Sequence, residues 1–82
     1  MLSYVYSQQG IADARENKLK NSQYWFERAL RFNQNDSNLW YNLGGVSFNL
    51  KEYDKAKEAF TKCLQLDPNN KNAKNGLANC PV

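Results

Sequence analysis

Histidine is absent from the 82 residues. Without it the chain lacks the commonest general base and the commonest metal ligand. Cysteine occurs only at Cys63 and Cys80, too few for a zinc site or a disulfide framework. Both read as small buried hydrophobes, which points to a reducing compartment. No apolar run approaches the roughly 18 residues that span a bilayer, so no membrane insertion is expected. Met1-Leu2-Ser3-Tyr4-Val5-Tyr6 has neither the basic start nor the apolar stretch of a signal peptide. These absences together set a cytoplasmic expectation. An excess of one charge is missing too. Net charge is +3, with five cations against four anions over residues 3–36 and four against four over 37–70. A nucleic-acid binder gathers its cations on one face; here they interleave with acids as on a solvated helix surface, so no nucleic-acid partner is expected.

What is present suffices for one small folded domain. Hydrophobic residues make up 41% and aromatics 13% of the chain, too many for a disordered segment. A chain of this length buries only about 60–65% of its unfolded surface, so a single core is marginal. The chain also matches itself at an offset of 34 residues. Gly10 falls on Gly44, Phe26 on Phe60, Ala29 on Cys63 and Leu30 on Leu64; a third start at Lys71 places Leu77 on Leu43 and Ala78 on Gly44. Trp40, Leu43, Ser47 and Leu50, beside Leu39, Leu43 and Val46, have the spacing of a helix with a broad apolar face. Tyr53, Ala56, Phe60, Cys63 and Leu64 repeat it. The turn at Lys51-Glu52 makes the two helices antiparallel. Asp67-Pro68 ends the second, because proline disfavours helical backbone in the residue before it. Asp36 or Ser37, and later Asn70, suit N-caps. The first unit reads as helices near 3–15 and 20–33, and no stretch reads as strand.

These residues resemble the tetratricopeptide repeat. The family pattern is Trp-x2-Leu-Gly-x2-Tyr, then Ala-x3-Phe, then Ala, then Pro. The second unit gives Trp40, Leu43, Gly44, Ser47, Ala56, Phe60, Cys63 and Pro68, six matches of eight. Serine replaces tyrosine at Ser47, with Phe48 beside it as a candidate to fill the volume. In the first unit Gly10, Phe26, Ala29 and Leu30 match, while Tyr6, Gln9, Asp13, Ser22 and Gln34 depart. The resemblance implies an all-α, right-handed superhelical stack of two helix-turn-helix repeats, 3–36 and 37–70, plus a C-terminal capping helix at 71–80. Ala73, Leu77 and Cys80 should pack on the second repeat, with Gly76 loosening that helix. On the outer face of the first helix, Val5, Gln9 and Ala12 suit an edge unit.

Function follows from the same resemblance. It implies a non-enzymatic protein–protein interaction module, with the first helix of each repeat lining a concave groove for a partner peptide or helix. Carried over by position, the groove is Tyr4, Ser7, Gln8, Ile11 and Arg15, then Asn38, Tyr41, Asn42, Gly45, Phe48 and Asn49, then Asn72 and Asn75. Amides can pair with a peptide backbone, and aromatic rings supply apolar area. The subset that clamps a chaperone's C-terminal carboxylate needs Lys, Asn, Asn, Lys and Arg where this chain has Ser7, Ile11, Asn42, Asn72 and Gly76. Only Asn42 agrees, which argues against that activity. No catalytic residue, metal or cofactor is expected: the pairs Asp13/Glu16 and Asp54/Glu58 read as solvated charge, and Cys63 has no histidine to activate it. The alternative is a homo-oligomerising fragment of a larger repeat protein, using Tyr4, Tyr24 and Trp25.

Overall fold

The computed structural model describes residues 2–81. It contains five helices and, among the described residues, no strand: α1 (Leu2–Arg15), α2 (Leu19–Phe32), α3 (Ser37–Asn49), α4 (Tyr53–Leu66) and α5 (Lys71–Asn79). α1 pairs with α2 and α3 with α4; α3 stacks on α2, and α5 lies on α4 with a lighter contact to α3.

The local chemistry of the ends explains the register. The Asp36 side chain caps α3 by accepting from the Asn38 amide at 3.0 Å, and Asn70 caps α5 by accepting from the Ala73 amide at 2.9 Å. These caps occupy the free amides of a first helical turn. α1 and α3 end alike. Lys18 N donates to Asp13 O and Asn17 N to Ala14 O; Glu52 N donates to Ser47 O and Lys51 N to Phe48 O. That paired pattern needs a left-handed residue after the helix, and Asn17 (φ 62°) and Lys51 (φ 64°) supply it.

Two apolar clusters hold the stack. Phe26, Ala29 and Leu30 of α2 meet Leu39, Leu43 and Val46 of α3 in the first, together with Ala59. Ala56, Phe60 and Cys63 of α4 meet Ala73 and Cys80 in the second. Trp40 packs against both clusters, and its indole N–H donates to Gln34 O at 2.9 Å. Within each hairpin an aromatic ring seats on a glycine. A Cβ added at Gly10 would stand 2.7 Å from the Phe26 ring, and one at Gly44 2.7 Å from the Phe60 ring. Ser22, where the second unit has Ala56, donates to Gly10 O at 2.7 Å and ties the first crossing.

Two expectations need correction, and Gly76 acquires a packing role: a Cβ there would come within 2.6 Å of Phe60 Cζ, so its smallness admits the ring. Asp13 is not solvated; it is buried and accepts from Gln9 Nε2 at 3.2 Å. Beside the fully buried Ser47 it is Gln23 of α2, not Phe48, whose amide donates to the hydroxyl at 3.2 Å. Phe48 instead meets Tyr53 edge-on, with ring centroids 5.5 Å apart.

Candidate functional site

The first helices of the hairpins, α1 and α3, together with α5, share one side of the stack, and two clefts open between them. The cleft between α1 and α3 has a volume of about 370 Å³ and is lined by Ile11, Arg15, Tyr41, Asn42, Gly45 and Asn49 among others. The cleft between α3 and α5, of about 320 Å³, is lined by Tyr41, Gly45, Phe48 and Asn49 with Asn72 and Asn75. Tyr41, Gly45 and Asn49 belong to both, so the clefts adjoin along α3. Helical periodicity produces this: residues 41, 45, 48 and 49 fall on one face, while 39, 43 and 46 turn toward α2.

The structure therefore brings together Ile11, Tyr41, Asn42, Gly45, Phe48 and Asn49 of the positions expected to line a groove, with Arg15, Asn72 and Asn75. Tyr4, Ser7, Gln8 and Asn38 line neither cleft. Tyr4 is 68% exposed near the start of α1; the Ser7 hydroxyl is turned back on Tyr4 O at 2.9 Å. Asn38 is exposed on the first turn of α3. Ala14, Asn17, Leu19 and Asn79 also line the clefts and were missed, Asn17 and Leu19 because they belong to the turn rather than to a helix face.

The aromatic residues expected to mediate self-association divide. Trp25 is half-buried and stacks on Tyr6 at 5.5 Å, and Tyr24 meets Trp25 edge-on at 5.2 Å. Arg28 lies over both tyrosine rings, 5.3 Å from Tyr6 and 5.4 Å from Tyr24. Tyr4 joins none of these pairs. Leu2 (49%) and Val5 (57%) are exposed on the outer face of α1, where α3 uses the equivalent Leu39 against α2.

The groups with shifted pKa values lie away from the two clefts, whose one charged lining residue is Arg15. Glu52, in the turn before α4, accepts from Lys20 Nζ and from Gln23 Nε2, the latter at 2.9 Å. The Lys20 hydrogen bond first, then that of Gln23, pull its carboxyl down to about 2. Burial, with the Asp67 carboxylate second, pushes the Cys63 thiol up; a protonated, buried thiol is a poor nucleophile. Cys63 and Cys80 are both free. Among the described residues no three His, Cys, Asp or Glu side chains gather as a metal site, and no helix is long and apolar enough to cross a membrane.

Helical hairpins stacked through glycine–aromatic crossings, with a shared concave face, define a helical-repeat protein. Residues 37–70 match the family model described as "Tetratricopeptide repeat". The chain belongs to the tetratricopeptide-repeat family. It is 37% identical over 73 residues to the tetratricopeptide repeat domain-containing protein PYG7, chloroplastic, of Arabidopsis thaliana, covering 89% of this chain and 24% of that one. It is 46% identical over 37 residues to Hsp70-Hsp90 organizing protein 1 of Glycine max, covering 45% of this chain and 6% of that one. The chain thus spans a quarter or less of these relatives. The fold superimposes on the Arabidopsis OM64 TPR domain with a TM-score of 0.89 at 19% identity, over 92% of this chain and 62% of that one. Such repeats are protein–protein interaction modules.

Proposed function

We propose that the chain is a non-enzymatic interaction module that takes an extended peptide segment of a partner along the groove formed by α1, α3 and α5. Its repeat units are 3–36 and 37–70, with 71–80 as a cap. The observation that carries this is the pair of adjoining clefts that share Tyr41, Gly45 and Asn49 and are walled by rings and amides. Such a lining offers apolar area together with donors and acceptors for a peptide backbone. A chaperone tail is not the ligand this reading favours, despite the name of the Glycine max relative, because Ser7, Ile11, Asn72 and Gly76 replace the charged and amide groups of that clamp. Free cysteines support a reducing location such as the cytoplasm; the chloroplastic relative makes an organelle the competing assignment. Amide shift mapping tests the groove. A pool of extended peptides should move Tyr41, Gly45 and Asn49, and should do so less after Tyr41→Ala with melting preserved. Shifts confined to the α2 and α4 surfaces would refute it.

A second reading is self-association through the outer face of α1. Exposed Val5, with exposed Leu2 beside it, favours it, since Leu39, the α3 residue that matches Val5, is buried. Light scattering decides: a concentration-dependent dimer that Val5→Lys abolishes supports it, and a monomer throughout removes it.

A further inference from the structure

All four glycines lie inside helices, and none has a positive φ. Backbone conformation therefore explains none of them. Packing explains three: Gly10 receives the Phe26 ring, and Gly44 and Gly76 hold the Phe60 ring between α3 and α5. Gly45 is different, with nothing within 4 Å of the place a Cβ would take. A glycine in the interior of a helix weakens it relative to alanine, so α3 carries a penalty that its own fold does not require. Gly45 lies where the two clefts meet. Around it the lining is uncharged except for Arg15, which forms no ion pair among the described residues.

We propose that Gly45 is the low saddle over which a bound peptide backbone crosses from the α1/α3 cleft to the α3/α5 cleft, and that the peptide is uncharged apart from an acidic side chain seated at Arg15. Close approach of a ligand backbone is a use that only glycine serves, and Arg15, an exposed lone cation at the edge of an otherwise uncharged groove, steers an opposite charge toward it. The inference rests on the groove reading above.

The probe is a phage library of random dodecapeptides panned against the full chain, with the enriched peptides synthesised and titrated by calorimetry. Enriched sequences should carry one Asp or Glu among uncharged residues. Gly45→Leu should weaken their binding by about tenfold or more, as a side chain forced into a close contact does. Gly45→Ala should melt higher than the parent yet bind more weakly, which keeps the test open if the leucine variant fails to fold. Arg15→Glu should weaken binding, and a peptide with lysine in place of its acid should restore it. If Tyr41→Ala loses binding while both Gly45 variants bind as the parent does, the saddle is wrong and the groove stands. Enriched peptides without an acid overturn the assignment of Arg15. Peptides indifferent to Tyr41→Ala, or no enrichment at all, overturn the groove and the saddle together.

Discussion

Gly44 and Gly45 are neighbours in one helix, and alanine at each should change stability in opposite directions. Replacing a mid-helix glycine by alanine gains about 1 kcal/mol from helix propensity alone. At Gly45 the new methyl meets no atom within 4 Å, so that gain is realised nearly whole. At Gly44 the methyl would stand 2.7 Å from Phe60 Cδ1 and Cε1. The ring has nowhere to go, because Gly76 closes on its other edge and Phe60 is only 3% exposed. Overpacking of that kind costs about 1–3 kcal/mol, and the confined ring places this case in the upper part of that range. Gly44→Ala should therefore lose about 1–2 kcal/mol net, some 2–3 kcal/mol apart from Gly45→Ala. For a domain of this size each kcal/mol moves Tm by about 4–8 °C, so the two variants should straddle the parent by at least about 8 °C. Thermal and urea unfolding followed by circular dichroism reads this directly. A double-mutant cycle sharpens it: with Phe60→Leu in the background, the penalty at Gly44 should shrink by about 1 kcal/mol or more, because the residues are in contact. Variants that shift Tm in the same direction, or a cycle that closes to zero, would refute the account of how the helices cross.

Three further perturbations follow from the same contacts. Lys51 holds φ 64° at the end of α3, a conformation that strains side chains with a Cβ; Lys51→Gly should raise stability by about 1 kcal/mol, measured as the urea midpoint. Because Lys20 and Gln23 hold the Glu52 carboxyl at about 2, its stabilising share is complete above the unfolded value of about 4.3 and is lost as pH falls toward about 2. Glu52→Gln should lower stability at neutral pH and flatten that acid limb, so a difference from the parent that does not change across this window would contradict the network. Trp40→Ala should cost about 3 kcal/mol and, because Trp40 touches both apolar clusters, should make hydrogen exchange in α1 and α2 protect differently from that in α4 and α5.

Much of this fold was legible in the sequence because its main contacts repeat. Gly10 with Phe26 and Gly44 with Phe60 are the same crossing 34 residues apart, and a period of that length marks each residue as core, groove or surface before any coordinate is known. Asp36 and Asn70 were readable as caps because a helix start needs an acceptor near its free amides. The groove positions nearest the middle of α3 came from the family resemblance, carried over by position, and in the structure they lie along two adjoining clefts. The rest depended on contacts that no period records. Gln23 reaches Ser47 and Glu52, 24 and 29 residues away. Gly76 owes its role to a ring on another helix. Trp25 was grouped with Tyr4 and Tyr24 as a candidate for an extra interface, but Tyr6, 19 residues earlier in α1, stacks on it.

The departures of this chain from its family pattern share a physical form. Wherever a polar residue takes an apolar place it is answered by a specific partner: Ser22 by Gly10 O, Asp13 by Gln9, Ser47 by Gln23. Among the described residues no buried side-chain nitrogen or oxygen is left without one. A buried polar group that finds its hydrogen bond is nearly neutral, and one that does not costs about 1–3 kcal/mol. The first repeat can thus drift far from the pattern in sequence and keep its shape, provided each drift supplies the partner. Gly45 departs from this logic: it weakens α3, yet among the described residues no contact accounts for it. On the groove reading proposed above, a peptide backbone crossing at Gly45 is what would offset that weakening.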